Sequence, residues 1–254
     1  MEPILRVNDL TKVFTRTGQP DFTAVNHISF ELYPGECLGL IGESGSGKST
    51  TVNMITRLLD ASGGSIVLDG EDITNVSGGE LRKVYRKMQM VFQTPTDSFD
   101  PRCTLGDGIG ESLRNSGMSR AETKREVAKL LTDCGLTPEF AGRYPHQVSS
   151  GQCQRAAIAR ALAIKPKLLI CDEATSALDV TIQQEILALL NDLRSRHGEG
   201  LSILFICHDI ALVQQFCDRV LVMYKGDIVE QGRPDDVIRN PKDAYTKRLI
   251  ESFL

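Results

Sequence analysis

The chain has no CxxC pair, no long apolar run, no surplus of positive charge, and no internal repeat or low-complexity linker. Its seven cysteines, at 37, 103, 134, 153, 171, 207 and 217, are odd in number and scattered. That excludes a disulfide-stapled scaffold and reads as reduced thiols in a cytoplasmic protein. Cys207 adjoins His208, but a metal site needs three or four convergent ligands and only a loose Cys-His-Asp-Cys set can be assembled, so no metal is assigned to the cysteines. No stretch approaches the roughly 18 apolar residues of a membrane span, and Met1-Glu2-Pro3-Ile4 lacks the basic and apolar regions of a leader. The expectation is a chain that stays in the cytosol and does not cross a bilayer by itself. Lys and Arg number 29 against 33 Asp and Glu, a net charge of −4, so nothing attracts nucleic acid or acidic lipid in general and no nucleic-acid partner is expected.

What is present suits a globular fold. With 254 residues, 41% hydrophobic and 24% charged, the chain can bury a large core as one domain or a domain with a lobe. Alternating runs at Ile4 to Val7 and Ile28 to Leu32, followed by a Pro34-Gly35 turn, predict an antiparallel β beginning. Cys37 to Ile41 is uniformly apolar and predicts a strand buried on both faces, and Val52, Ile55 and Leu59 mark the helix after it. Further strands are predicted at Ser65 to Leu68 and Met88 to Phe92. Residues 94–165 read as helical: Ser119-Arg120-Ala121-Glu122 has capping-box spacing, Val127, Leu130, Leu131 and Cys134 share a face, and Gly135 is a stop. Strand patterns return at Leu168 to Cys171, Ile203 to Cys207 and Val220 to Met223, separated by helices such as the one bearing Ile182, Ile186, Leu189 and Leu193. The prediction is an α/β fold: a core with a mainly parallel sheet, an N-terminal antiparallel β lobe and an inserted helical lobe. As boundaries, 1–254 forms one domain, with 1–93 and 166–254 as the core and 94–165 as the helical lobe.

Gly42-Glu43-Ser44-Gly45-Ser46-Gly47-Lys48-Ser49 fits G-x-x-x-x-G-K-[ST] between a buried strand and a helix, which makes it a P-loop. Its glycines let backbone N–H groups crowd a β-phosphate, Lys48 carries charge to the β- and γ-oxygens, and Ser49 offers a hydroxyl to Mg²⁺ at a helix N-terminus. Gly42, Glu43, Ser44, Gly45, Ser46, Gly47, Lys48, Ser49 and Thr50 are the candidate nucleotide-binding residues. Asp172 and Glu173 follow a buried apolar strand, where acids are costly without partners or work. Asp172 would hold Mg²⁺ through water and Glu173 would orient and deprotonate an attacking water; a structural cap is the competing reading. His208 and Gln93 each follow a strand; either one alone reads as structural, and they count for function only as a set.

The motifs now stand in a recognisable order: Gly42 to Ser49, Val91-Phe92-Gln93, Val148-Ser149-Ser150-Gly151-Gln152, Ile170-Cys171-Asp172-Glu173, Ser176-Ala177-Leu178-Asp179 and Cys207-His208-Asp209. Together they resemble the nucleotide-binding subunit of ATP-binding-cassette transporters, nearly end to end. Thr96 to Arg102 and the tail Asn240 to Leu249 look like the peptide and nickel importer subgroup. The resemblance implies an ATPase that uses ATP and Mg²⁺ to power uptake of a peptide, nickel or a metal chelate through separate integral-membrane permease subunits. It further implies a second ATPase subunit, non-identical, an extracytoplasmic solute-binding protein, and a peripheral place on the cytoplasmic face of the inner membrane. By the same resemblance Gln93 senses Mg²⁺ and the water, and His208 holds the γ-phosphate. Ser149, Gly151 and Gln152 form a phosphate cradle for a facing subunit, Asp179 crosses that interface, and Phe14 lies under adenine. An end at Leu254, without the longer extension of many subgroup members, is expected to favour the nickel or metallophore type without excluding peptides.

The signature departs from the family's usual Leu-Ser-Gly-Gly-Gln: Val148 replaces Leu, and Ser150 stands where glycine lets backbone approach phosphate. Two outcomes are open: the side chain weakens nucleotide closure without abolishing it, or the serine hydroxyl bonds phosphate and offsets the lost close approach. The rival class is a soluble cassette ATPase in protein assembly or repair without a membrane partner. The importer-like segments oppose it, as does the lack of coiled-coil or zinc-bearing insertions.

Overall fold

The computed structural model describes residues 2–16, 18–174, 178–196 and 200–252. Two long strands, β1 (Leu5–Arg16) and β2 (Gln19–Leu32), open the chain and pair antiparallel. They extend well past the alternating runs because bulges break the period: Asp9 and His27 take left-handed backbone (φ 49° and 51°), and their side chains meet at 2.8 Å. At Pro34-Gly35 the Glu36 N–H donates to the Tyr33 carbonyl, and this turn hands the chain from one sheet to another.

Strand β3 (Cys37–Ile41) leads into α1 (Lys48–Ile55), then β4 (Gly63–Leu68) and β5 (Glu71–Asp72) return to the first sheet, whose order is β2-β1-β4-β5. After α2 (Gly78–Lys87), the remaining strands are β6 (Met88–Val91), β7 (Leu168–Asp172), β8 (Ser202–Ile206), β9 (Arg219–Tyr224) and β10 (Asp227–Gly232). With β3 they make a six-stranded sheet ordered β10-β9-β3-β8-β7-β6, parallel except for β10. Between β6 and β7 run α3 (Leu105–Asn115), α4 (Arg120–Asp133) and α5 (Ser150–Leu162) with short 3-10 turns. Ser119 and Glu122 form the expected reciprocal box at the start of α4, and Gly135 turns left-handed (φ 74°) just past its end. The later helices are α6 (Val180–Arg196), α7 (Ile210–Phe216), α8 (Pro234–Arg239) and α9 (Ala244–Glu251).

The central sheet is apolar on both faces because each face has its own core. Leu38, Leu40, Leu168, Ile170, Leu204, Ile206, Leu221 and Met223 pack with α1 and the β lobe. Their alternates Cys37, Ile41, Leu169, Cys171, Ile203, Phe205, Val220 and Val222 pack in the cluster that holds α3 to α7. Two buried faces explain the uninterrupted apolar runs. They also hold the strand ends, where the chemistry lies, in fixed register. No helix among the described residues is long and apolar enough to cross a membrane.

Candidate active site

Parallel register brings the predicted residues to one edge of the sheet. Leu40 and Asp172 both lie opposite Ile206, and Val91 lies opposite Cys171. Gly42, Gln93, Glu173 and His208 therefore all emerge where β3, β6, β7 and β8 end, the carboxyl edge at which ligands gather in such sheets.

At this edge the P-loop wraps from β3 into α1. Gly42 (φ 152°) admits no side chain, since a Cβ there would stand 2.2 Å from the Met223 carbonyl oxygen, and at Gly47 (φ 111°) it would stand 2.5 Å from that of Ala24. Gly47 begins α1 without a side-chain cap and no acid lies in the first turn, which leaves helix N–H groups for an anion. Lys48 is buried, and its Nζ donates to the carbonyls of Gly42 (2.7 Å) and Glu43 (2.9 Å) and to Ser46 Oγ (3.5 Å). Burial lowers its pKa, while the charges of Glu173 and Asp172 pull it back up. The lysine is thus an ammonium group folded onto its own loop and facing two carboxylates.

Asp172 ends β7 half-buried, and its carboxyl is pushed up first by burial and then by the Glu173 charge, with Lys48 opposing. Glu173 takes a left-handed conformation (φ 47°), costly for a side chain of this kind, while its N–H donates to the Ile206 carbonyl at 3.0 Å. That kink directs the chain out of the sheet, and Glu173 joins Lys48, Ser49, Thr50, Ser44 and Phe22 around a cleft of about 300 Å³. Its Oε1 lies 4.0 Å from Nδ1 of the exposed His208. A larger hollow of about 860 Å³ lies elsewhere, among Arg82, Tyr85, Arg86, Gln89, Leu113 and Met118. It carries no carboxylate, so the smaller cleft is the better candidate for catalysis.

The other predicted residues form a second group. Ser149 Oγ accepts from the Gln152 N–H (3.3 Å), and the Gln152 side-chain oxygen accepts from the Ser149 N–H (3.0 Å), a capping box on α5. Gly151 is buried, with room for a Cβ only 2.7 Å from Ile182 Cγ2. Asp179 Oδ1 accepts from the Ile182 N–H at 3.0 Å and so caps α6. These four residues surround one α5–α6 contact, and none lines the cleft. Ser150 stands exposed on the first turn of α5, while Ser176 and Ala177 lie outside the described residues. Gln93 is exposed just past β6.

Phe14 sits half-buried on β1, with Lys12 Nζ 5.2 Å from its ring centre. Its cross-strand partner Phe22 is 56% exposed and lines the cleft. Opposite residues share a face of the sheet, so the two aromatics are neighbours and Phe22 is the nearer to the P-loop. Sequence reading missed Phe22, whose pairing with Phe14 only the observed ladder shows. It also missed Tyr245, whose hydroxyl accepts from the Glu43 N–H at 2.9 Å.

A family model described as ABC transporter matches residues 25–176. The chain belongs to that family. It is 48% identical over 256 residues to the glutathione import ATP-binding protein GsiA of Escherichia coli O157:H7, covering 98% of this chain and 41% of that one. The protein of the same name from Escherichia coli strain K12 is 47% identical over the same span. The chain therefore spans about two fifths of the length of the curated relatives it matches. Among solved structures it is similar to cbiO1 from Clostridium perfringens, part of the ABC transporter complex cbiONQ, with TM-score 0.83, 29% identity and coverage of 94% and 92% of the two chains. It is also similar to the ATP-binding cassette MJ0796, solved as a dimer bound to ADP and Pi, with TM-score 0.81, 28% identity and coverage of 91% and 98%. The α/β architecture with its antiparallel β lobe is that of these cassettes.

Proposed function

We propose that the chain hydrolyses MgATP to drive uptake of a small peptide of the glutathione type through separate permease subunits. The observation that carries this reading is Lys48 and Ser49 lining one cleft with Glu173, with Asp172 close enough for its charge to act on Lys48. The relatives named for glutathione import supply the solute class, in preference to nickel or a chelate. As proposed boundaries, 94–165 is the helical lobe of a single cassette, and the larger hollow receives a permease segment. Arg82, Arg86 and Lys165 make that hollow basic, and Leu113 and Met118 make part of its wall apolar.

The donor set fits Mg²⁺: a hydroxyl at Ser49, an amide at Gln93 and a carboxylate at Asp172 are hard oxygen ligands, too few for an all-protein cage and suited to an ion that keeps water and phosphate oxygens. Bound there, Mg²⁺ would neutralise charge on the β- and γ-phosphates. The chain's own residues do the rest. Lys48 exchanges its loop carbonyls for phosphate oxygens, and the N–H groups of the loop and α1 cradle the β-phosphate. Glu173 aligns a water and takes its proton as the new O–P bond forms and the bond from the γ-phosphorus to the β,γ-bridging oxygen breaks, releasing ADP and inorganic phosphate. His208, next to Glu173, holds the γ-phosphate. Phe14 or its neighbour Phe22 stacks on adenine.

Ser149, Gly151 and Gln152 act on the nucleotide of a facing cassette, in keeping with their distance from the chain's own cleft and with the dimeric relative. Asp179 lies at the same proposed interface. Ser150→Glu separates this from a one-chain site, because an acid in the first turn supports α5 while repelling a facing triphosphate. MgATP affinity of the isolated chain should be unchanged, and ATPase activity of the complex assembled with its permeases should fall at least about tenfold. An equal loss of affinity in the isolated chain overturns the two-chain site. The solute is tested with the assembled transporter and its binding protein in proteoliposomes. Labelled glutathione should accumulate only with MgATP on the cassette side, and accumulation of a nickel chelate instead would reassign the solute.

A further inference from the structure

Three hydrogen bonds of the backbone hold the P-loop in shape, one within it and two from elsewhere in the chain. The Ser46 N–H donates to the Glu43 carbonyl (3.2 Å), the Gly226 N–H donates to the Ser46 carbonyl (2.9 Å), and the Glu43 N–H donates to Tyr245 Oη (2.9 Å). The first two are backbone pairs. The third comes from a side chain 202 positions later in the sequence, on the first turn of α9.

That side chain is itself built in. Tyr245 is buried and stacks on Tyr224 with ring centres 4.0 Å apart and planes at 23°. Tyr224 ends β9 directly after Met223, whose carbonyl crowds Gly42, so the ring is wedged against the strand that shapes the loop. The entry to α9 is held from two sides. The Glu230 carboxylate on β10 accepts from the N–H groups of Lys242 (2.9 Å) and Asp243 (3.0 Å), and Asp243 Oδ1 accepts from the Tyr245 N–H (2.7 Å). A phenol with so little freedom fixes the place of whatever its oxygen touches.

We propose that Tyr245 is a positioning residue for the P-loop, its hydroxyl holding the Glu43 amide so that α9 sets how ready the loop is to take nucleotide. The inference rests on the reading of the P-loop as the ATP site and adds the C-terminal helix to that site. Tyr245 touches no phosphate. It acts through Glu43, by keeping the loop in one shape before nucleotide arrives, and the benefit appears as affinity because less ordering is left to be done on binding.

Tyr245→Phe keeps the ring and its stack and deletes only the oxygen. In the full chain, the Glu43 amide should exchange with solvent about three- to tenfold faster by NMR, and MgATP should bind about three- to tenfold more weakly, the range one hydrogen bond supports. Thr246→Val is the comparison: Thr246 is fully buried on the same helix with a hydroxyl that has no partner, so the change likewise replaces a buried hydroxyl of α9 but removes no bond to the loop. It should leave both measurements at the wild-type value. Wild-type exchange and affinity in Tyr245→Phe overturn the inference, as do equal losses in Thr246→Val, which would make the effect one of general packing. A wild-type chain that takes up no MgATP overturns the reading of the site and this inference with it. A wild type that binds beside a Tyr245→Phe chain that binds equally well overturns the inference alone.

Discussion

Glu173→Gln is expected to lower ATP turnover by the assembled complex about 10²- to 10⁴-fold while leaving MgATP bound, the range for loss of a general base. The substitution keeps the size of the side chain and leaves the Glu173 N–H bond to the Ile206 carbonyl untouched, since that bond is made by backbone. The left-handed kink at this residue is equally open to Gln. What changes is charge. The Glu173 carboxylate is one of the two causes that push the Asp172 carboxyl up, so its removal lets Asp172 ionise more readily and lessens repulsion of the triphosphate. Nucleotide affinity should therefore hold or tighten as turnover collapses. Phosphate release at saturating MgATP, set beside equilibrium dialysis of the same preparation, checks both halves. Turnover near the wild-type rate removes Glu173 from the role of base.

The parts of this site legible in the sequence are those whose chemistry is contiguous. Gly42 to Ser49 and the Asp172-Glu173 pair declare themselves because each is a short run at the end of an apolar strand, and strand ends in a parallel sheet share an edge. Phe22 was not legible in that way. Its place depends on pairing with Phe14 across a ladder whose bulges at Asp9 and His27 upset the alternation from which a facing residue is read. Helix α2 was missed for a different reason: Leu81, Val84 and Tyr85 do recur at helical spacing, but they are set among seven polar or glycine residues and only Val84 is buried, so the stripe is thin. Gly151 illustrates a third limit. Read along the chain it belongs to a phosphate cradle, yet the structure gives it a packing constraint against Ile182, thirty-one positions away, that no local pattern displays. A loss of activity on substituting it would thus have two causes, which substitutions at exposed Ser150 separate.

Lys48→Ala should weaken MgATP binding by the isolated chain roughly 10- to 150-fold, the equivalent of about 1.5–3 kcal/mol for a hydrogen bond to a charged group. The figure belongs to this end of the scale because Lys48 does not meet phosphate from a free start. Its ammonium already donates to the Gly42 and Glu43 carbonyls at 2.7 and 2.9 Å, and binding exchanges those bonds for others. A second consequence follows from the pair it faces. Lys48 is the group that holds the Asp172 carboxyl down against burial and the charge of Glu173, so without it the carboxyl moves higher still. A carboxyl whose pKa rises is protonated at a higher pH, and a protonated acid is a poor ligand for Mg²⁺. The Mg²⁺-dependent part of ATP binding should accordingly fail at a higher pH in Lys48→Ala than in the wild type as the solution is acidified. Titrating the nucleotide with and without Mg²⁺ across the acidic range reads both effects. If the mutant binds MgATP as tightly as the wild type, Lys48 has no hold on the phosphates; if it binds weakly with an unshifted pH profile, the lysine contacts phosphate but does not govern the charge of Asp172.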